Sequence, residues 1–226
     1  MRAVIFDQDG LMFDTERISV EAWDLAGAEF GVHLEEAFLC TVRGMNHHDM
    51  KKRFFEVFGD SVDFETFRAR KQQIFFRLVR ERTVPVKPGL LELLEYLRQQ
   101  GYKIALASAS RKEYTLANIK EAGVEPYFRF IITGDMVKQA KPDPEMFLTA
   151  AAALGEPPEQ CIVLEDSLNG VEAGLRGGFC TIMVPDLTQP DETLRKRVYA
   201  VCESLHQVKE LLEETGRDID KWKDEE

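Results

Sequence analysis

The sequence predicts an α/β protein in which a parallel sheet is covered by helices and interrupted once by a helical insert. From residue 84 onward, short apolar runs alternate with segments of helical periodicity. Strands that are apolar along their whole length are typical of parallel sheets with helices on both faces. Residues 15–83 show only helical spacing of their apolar residues. We therefore expect a Rossmann-like, doubly wound core formed by 1–14 and 84–226, with a helical cap domain at 15–83.

Five apolar runs are candidate strands, and helical segments separate the later ones. Two helix starts are marked by their residues. Ser110 and Glu113 have the spacing of a capping box, and Asp143 before Pro144 suits an N-cap followed by the first helical residue. The predicted strands are Val4–Phe6, Ile104–Ala107, Phe130–Ile132, Cys161–Leu164 and Thr181–Val184, and the predicted helices are 89–100, 111–122, 144–154 and 169–176.

The insert is rich in aromatic residues that recur three or four positions apart. This spacing places them on one face of each helix, so we interpret them as the core of a small helical domain. Pro85 and Gly89 fall in the segment that returns the chain to the sheet. The predicted core residues of the insert are Trp23, Leu25, Phe30, Phe54, Phe55, Phe58, Phe67, Ile74, Phe75 and Leu78.

Composition excludes several classes of function. The 226 residues carry a net charge of −11, which disfavours a nucleic-acid partner. No apolar run reaches the length of about 18 residues that a membrane span needs. Four cysteines occur without a C-x-x-C pair, and the N-terminal apolar run is too short for a signal peptide. We expect a reduced, cytoplasmic protein. The sequence does not indicate an oligomeric state, and a monomer is compatible with it.

Polar side chains follow the predicted strands at the points where the strands end. The carboxyl ends of parallel strands meet at one edge of the sheet, where ligands bind in such folds. We therefore expect four carboxylates, a lysine and a hydroxyl to lie close together. These residues are Asp7 and Asp9 after the first strand, Ser108 after the second, Lys141 in the loop after the third, and Glu165 and Asp166 after the fourth.

This set of side chains suits phosphate chemistry with a hard divalent cation. Mg²⁺ prefers oxygen ligands, and clustered carboxylates would repel one another without a cation. Lys141 adds a point charge for phosphate oxygens. Asp7 can accept a phosphoryl group, and Asp9 can act as general acid and base. Each residue alone also fits a turn, a helix cap or a solvated side chain; their occurrence in order after successive strands favours a site.

Four segments resemble the motifs of the haloacid dehalogenase superfamily of phosphohydrolases. They are "FDQDGLMFDTE", "ALASAS", "KPDPEMF" and "VLEDSLNG", in that order along the chain. The resemblance is to the branch with a helical cap inserted after the first motif, which includes enzymes similar to β-phosphoglucomutase and phosphoglycolate phosphatase. It implies a cofactor, Mg²⁺, and a small phosphate ester as substrate.

The resemblance also implies a role for each motif residue. Asp7 corresponds to the nucleophile and a metal ligand. Asp9 corresponds to the acid/base and binds metal through its backbone carbonyl. The phosphate-binding positions are Ser108, Ala109 and Lys141, and the remaining metal positions are Asp166 with Glu165 beside it.

The segment "VRGMNHHDM", residues 42–50, is expected to be the cap loop that selects the substrate. Arg43, Asn46 and His47 are the candidate substrate-binding residues, with His48 as a possible substitute. The alternative is an exposed polar connection between two helices. A zinc site at His47 and His48 is disfavoured, because adjacent histidines do not share a helix face.

These features predict a Mg²⁺-dependent phosphatase that acts on a small phosphorylated metabolite, such as a sugar phosphate, through an aspartyl-phosphate. Asp9 argues against a dehalogenase, which resembles this chain in its nucleophile but lacks the second aspartate. A phosphohexomutase similar to β-phosphoglucomutase is the alternative, although Ser19 and His47 stand where that enzyme has a histidine and an arginine. A receiver-type signalling domain that accepts a phosphoryl group, and a catalytically silent binding protein, are further alternatives. The long helical insert and the complete motif carboxylates argue against them.

Overall fold

The computed structural model describes residues 1–42 and 47–216. Two compact units divide the chain. One consists of Met1–Phe13 and Val86–Glu226, and the other of Asp14–Pro85. We call them the sheet unit and the helical unit.

The sheet unit is built on six parallel strands. The chain adds β2 and β3 on one side of β1 and then β4, β5 and β6 on the other, giving the order β3-β2-β1-β4-β5-β6. Such an order confirms the predicted doubly wound α/β fold. Its switch point, where the strand order changes direction, lies between β1 and β4. The strands are β1 (Ala3–Phe6), β2 (Lys103–Ser108), β3 (Phe130–Thr133), β4 (Cys161–Glu165), β5 (Cys180–Met183) and β6 (Ala200–Val201).

Both faces of the central strand are covered. Ala3 and Ile5 belong to an apolar cluster that includes Met146 and Phe147. Val4 and Phe6 point to the opposite face, because side chains alternate along a strand, and all four residues of β1 are buried. This burial explains why the strand reads as a continuous apolar run with polar residues only beyond its end.

Six α-helices among the described residues of the sheet unit follow or precede these strands. The first four match the predicted helices to within their terminal residues. The predicted start of the third is one residue early: Pro144 is the N-cap and the helix begins at Glu145, whose N–H donates to the Asp143 carboxylate at 2.9 Å. The helices are α5 (Leu90–Gln99), α6 (Lys112–Glu121), α7 (Glu145–Leu154), α8 (Leu168–Arg176), α9 (Glu192–Arg197) and α10 (Leu205–Thr215).

We predicted no element beyond the fifth strand, but the described residues contain three there, α9, β6 and α10. β6 has 2 residues, too few to show any periodicity. α10 did leave a signal, because Leu205, Val208 and Leu212 are buried at helical spacing. Ser204 caps this helix by accepting a hydrogen bond from the Gln207 N–H at 3.3 Å. The helix packs against α5.

The helical unit contains α1 (Thr15–Phe30), α2 (Glu36–Val42), α3 (His47–Phe58) and α4 (Phe64–Glu81). Its core is an aromatic cluster in which neighbouring ring centroids lie 4.7–6.2 Å apart. Aromatic pairs at this separation stabilise a core beyond the area they bury. The members of the cluster are Trp23, Phe30, Phe38, Phe54, Phe58, Phe64 and Phe67.

Two residues predicted for this core are exposed instead. Leu25 is 38% exposed and Phe55 is 36% exposed. Phe54 and Phe55 are adjacent on α3, and adjacent helix positions do not share a face. Phe54 takes the inner position and is fully buried.

None of the helices in the two described segments has the length and hydropathy that crossing a membrane requires. Cys161, Cys180 and Cys202 are buried within the sheet unit.

We expect Phe54→Ala to lower the free energy of unfolding by about 3–5 kcal/mol, because it removes a buried ring from the aromatic cluster. The neighbouring exposed residue gives a matched control, and Phe55→Ala should change stability by less than about 1 kcal/mol. Urea denaturation followed by circular dichroism measures both. Equal losses for the two variants would contradict the placement of α3.

Candidate active site

The site forms where β1 and β4 end side by side. Phe6 is paired in register with Leu164, so the next residues, Asp7 and Glu165, are neighbours across the switch point. The Asp7 N–H donates to the Leu164 carbonyl at 3.0 Å. The parallel register thus brings together two carboxylates that are far apart in the sequence.

Lys141 lies between these two carboxylates. Its ammonium donates to Asp7 Oδ1 and to Glu165 Oε1, the latter at 2.7 Å. The side chain is buried, with 8% exposed, and Nζ lies 4.7 Å from the ring centroid of Phe147 on α7. A buried ammonium needs charged partners of this kind. The structure therefore unites Lys141 with Asp7 and Glu165, as the order of the motifs suggested.

The second oxygen of Glu165 is engaged by the start of α8. Oε2 accepts hydrogen bonds from the Ser167 N–H at 2.6 Å and from the Ser167 hydroxyl at 2.9 Å. Both oxygens of the Glu165 carboxylate are therefore held by hydrogen bonds, and one of them orients Lys141. Ser167 was missed by the sequence analysis, although it follows the acidic pair directly and also caps α8 by accepting from the Gly170 N–H.

Gly170 explains how α8 can approach Glu165 so closely. A Cβ at this position would lie 1.7 Å from Glu165 Oε1. Only glycine leaves room for the carboxylate there.

The electrostatics of the pair favour a charged lysine and disfavour a charged aspartate. Burial alone would lower the pKa of Lys141, but the carboxylates of Asp7 and Glu165 outweigh it and raise that pKa above its ordinary value. Burial, together with the charges of Glu165 and Asp9, raises the pKa of Asp7 to about 8 despite the opposing effect of Lys141. Burial is thus the main reason why the raised pKa of Asp7 favours its protonated form.

Asp7, Glu165 and Asp166 form an acidic cluster that could hold a metal ion. All three are buried, and one oxygen of each lies within 4.8 Å of the others. Lys141 contributes one positive charge against these three carboxylates. The donor atoms are carboxylate oxygens, which suit a hard divalent cation. Both the excess charge and the donor type fit a cation such as Mg²⁺.

Gly10 opens the space in which Asp166 sits. Its φ is +86°, and a Cβ would lie 2.1 Å from Asp166 Oδ2. A glycine is therefore required both by the backbone conformation and by the close approach of the carboxylate. Gly10 therefore lies against Asp166, and the residue before it is Asp9, whose carbonyl corresponds to a metal ligand by the resemblance.

Asp9 is held by hydroxyl groups from the segment after β2. Its Oδ2 accepts from the Ser110 hydroxyl at 2.8 Å and its Oδ1 from the Tyr114 hydroxyl at 3.4 Å. The Ser108 hydroxyl and the Gln8 amide lie 3.5 Å from its oxygens. Ser110 and Tyr114 were not identified as site residues from the sequence.

The predicted capping box at Ser110 is wrong. α6 begins at Lys112, its N-cap is Arg111, and no side chain caps it. The Ser110 hydroxyl donates to the Asp9 carboxylate instead. A hydrogen bond to a charged acceptor is stronger than one between neutral groups, such as the bond of a serine cap with a backbone N–H.

The predicted phosphate-binding residues end β2. Ser108 is fully buried, and its Oγ accepts a hydrogen bond from the Ser110 N–H at 3.1 Å. Ala109 is exposed directly beyond the strand. Ser108 is paired with Thr133 at the end of β3, so these residues lie at the same edge of the sheet as Asp7.

The predicted substrate residues of the insert belong to the helical unit. Arg43 and Asn46 lie outside the described residues. His47 is exposed at the start of α3, where its Nε2 lies 3.0 Å from Glu65 Oε2. Lys51 donates to the other oxygen of Glu65 at 2.9 Å. His47 therefore links α3 to α4.

Comparison with known proteins agrees with this geometry. A model of the haloacid dehalogenase-like hydrolases matches residues 1–178. A phosphorylated carbohydrates phosphatase of Thermotoga maritima is 31% identical over 217 residues, which cover 94% of this chain and 91% of the relative.

Solved structures of related proteins are similar to this chain over both of its units. A hydrolase from Pseudomonas syringae superposes with a TM-score of 0.80 at 26% identity, covering 95% of this chain and 99% of that one. A β-phosphoglucomutase from Clostridium difficile superposes with a TM-score of 0.78 at 26% identity, covering 95% and 96%. The predicted family and enzyme class, a phosphoric monoester hydrolase, are confirmed. The chain belongs to the haloacid dehalogenase-like hydrolases.

Proposed function

We propose that the protein hydrolyses small phosphate monoesters, with sugar phosphates as the substrate class, through an aspartyl-phosphate on Asp7 and with Mg²⁺ as cofactor. The observation that carries this proposal is the buried contact of Lys141 with both Asp7 and Glu165, beside the carboxylate of Asp166. A lysine fixed next to a nucleophilic carboxylate supplies positive charge where a dianionic phosphoryl group must approach.

In the first step, a carboxylate oxygen of Asp7 attacks phosphorus while the ester P–O bond breaks. Lys141 holds Oδ1 of Asp7, so the orientation of the nucleophile is set before the substrate binds. Ser108 and the backbone of Ala109 are proposed to bind the phosphoryl oxygens. Asp9 donates its proton to the departing oxygen, and the alcohol leaves.

In the second step, Asp9 takes a proton from water. The water oxygen attacks phosphorus, and the bond between phosphorus and the Asp7 oxygen breaks. Inorganic phosphate leaves, and both aspartates return to their starting state. One residue can serve both steps because it is deprotonated by the first step and reprotonated by the second.

Asp7 and Asp166 are proposed to hold the cation, together with the backbone carbonyl of Asp9. When bound, Mg²⁺ withdraws negative charge from the phosphoryl oxygens. Glu165 belongs to the same acidic cluster, but both of its oxygens already accept hydrogen bonds from Lys141 or Ser167. We therefore propose that Glu165 mainly orients Lys141.

Two features support the proposed substrate class: the similarity to a carbohydrate-phosphate phosphatase and the presence of the helical unit. The Thermotoga maritima relative is described as a phosphatase of phosphorylated carbohydrates. We propose that the helical unit, residues 14–85, acts as the cap that selects the leaving group. The cytoplasmic location stays a prediction.

A phosphohexomutase is the second candidate, because the Clostridium difficile structure is a β-phosphoglucomutase. One observation in the helical unit argues against it. Ser19, which aligns with the histidine of a mutase, has its hydroxyl 2.8 Å from Lys71 Nζ, from which it accepts a hydrogen bond. This chain therefore has a neutral hydroxyl, bound to a lysine, at the position where a mutase has a titratable imidazole.

Phosphate release from sugar phosphates, nucleotides and p-nitrophenyl phosphate tests the proposal. We expect release with Mg²⁺, none with EDTA, and none in Asp7→Asn, because an amide cannot form the covalent intermediate. The panel includes β-glucose 1-phosphate with a coupled measurement of glucose 6-phosphate. Conversion of that sugar without phosphate release would replace the phosphatase by the mutase. An Asp7→Asn variant with a normal rate would refute the covalent mechanism.

Lys141→Ala should lower kcat by at least about 10²-fold and raise KM, because it removes the charge that faces the phosphoryl group. Lys120 on α6 is exposed, and Lys120→Ala is the matched control that should leave both constants unchanged. Circular dichroism checks that each variant is folded. A folded Lys141→Ala with unchanged kinetics would show that the lysine has a purely structural role.

The stabilisation by Mg²⁺ should grow as the pH rises. The pKa of Asp7 is raised from 3.8 to about 8 without a cation. A raised pKa contributes stability that is fully present below the unfolded pKa and is lost as the pH rises through the folded pKa. The cation-free protein therefore loses this stability between about pH 4 and pH 8, whereas a bound cation pairs with ionised Asp7.

The measurement is the difference in Tm between Mg²⁺ and EDTA, taken near about pH 6 and about pH 9. We expect the larger difference at the higher pH. Asp7→Asn is the control, because it removes the titrating group and should flatten the dependence. A Tm difference that is the same at both pH values in the wild type, or larger at the lower one, would contradict the charge balance of the cluster.

A further inference from the structure

Both carboxylate oxygens of Asp9 accept hydroxyl hydrogen bonds from a single segment of the chain. The Ser110 hydroxyl lies 2.8 Å from Oδ2, and the Tyr114 hydroxyl lies 3.4 Å from Oδ1. Ser110 precedes α6 and Tyr114 lies in its first turn. A carboxylate bound at both oxygens has lost most of its rotational freedom, in contrast to a half-buried aspartate surrounded by water.

Ser110 is itself fixed at both ends of its backbone. Its N–H donates to Ser108 Oγ at 3.1 Å, and its carbonyl accepts from the Gly134 N–H at 2.9 Å. A Cβ on Gly134 would lie 2.2 Å from the Ala109 carbonyl oxygen. The glycine after β3 thus permits the close contact that anchors this segment, and the Ser110 hydroxyl is presented from a rigid support.

The position of Asp9 matters because it must reach two different oxygens in succession. A general acid must lie within hydrogen-bond distance of the leaving oxygen, and a general base within that distance of the water. Asp9 is on the loop after β1, two residues beyond Asp7, so its side chain is placed by its own hydrogen-bond partners. The hydroxyls of Ser110 and Tyr114 set where the Asp9 carboxylate rests.

We propose that Ser110 and Tyr114 are positioning residues that hold the Asp9 carboxylate for proton transfer to the leaving group. This inference rests on the proposed phosphatase function. Loss of either hydroxyl leaves Asp7, Lys141 and the acidic cluster in place. It should therefore weaken protonation of the leaving oxygen while nucleophilic attack continues.

A series of aryl phosphates separates these two effects without knowledge of the natural substrate. p-Nitrophenolate is a stable anion that departs without a proton, whereas phenolate is more basic and depends on the general acid. We expect Ser110→Ala to lower kcat/KM for phenyl phosphate about tenfold and that for p-nitrophenyl phosphate less than about twofold. Tyr114→Phe should act in the same direction with a smaller effect, since its contact is longer.

Two further variants control the experiment. Ser110→Thr retains the hydroxyl and should restore most of the phenyl phosphate rate. Tyr127→Phe removes a tyrosine hydroxyl that lies 3.3 Å from Glu95, in another part of the sheet unit. That variant should leave the ratio of the two kcat/KM values unchanged.

The outcomes distinguish this inference from the proposed function. A wild type that hydrolyses both esters, with Ser110→Ala and Tyr114→Phe variants that keep the wild-type ratio, would overturn the positioning role alone. Equal losses for both esters would overturn it as well, because they indicate a general structural defect. A wild type that releases no phosphate from either ester would refute the phosphatase and this inference together.

Discussion

Buried charge at the end of β1 is the constraint on which the rest of the site depends. Asp7, Glu165 and Asp166 place three carboxylates in a small buried volume, and Lys141 neutralises only part of their charge. A buried charge without a partner is strongly destabilising. The arrangement is therefore complete only when a cation or a proton supplies the missing positive charge. Such a cluster could hold a metal ion, and the proposed function assigns that place to Mg²⁺.

The fold provides this concentration of charge through its topology. Because β1 lies at the switch point of the sheet, its carboxyl end is beside that of β4 on one side and that of β2 on the other. Gly10 and Gly170 have no Cβ, so the carboxylates of Asp166 and Glu165 can lie against their backbone. A side chain at either position would overlap with the carboxylate. Apolar burial on both faces of β1 stabilises the sheet, and the buried carboxylates Asp7, Glu165 and Asp166 come at or directly after the ends of β1 and β4.

The sequence predicted the sheet, and it predicted that Asp7, Lys141 and Asp166 meet at one edge of it, because the apolar runs of the strands are a local pattern with a strong physical cause. Asp7 and Asp166 come just after apolar runs that are typical of buried strands, and Lys141 lies in the loop after another one. Ser110 was misassigned as a helix cap because the same residue types satisfy a capping box and a hydroxyl contact to a carboxylate. Only the tertiary position of Asp9 distinguishes them. Phe55 was misplaced because adjacent aromatics on one helix cannot both face the core, and periodicity alone did not show which one does.

The most direct measurement is a crystal structure with Mg²⁺ and beryllium fluoride, which mimics an acyl phosphate on a carboxylate. We expect beryllium bonded to an oxygen of Asp7, its fluorides within hydrogen-bond distance of Lys141 and Ser108, and Mg²⁺ on Asp7 and Asp166. Beryllium on Asp9 or Asp166, or a cation bound away from this acidic cluster, would contradict it.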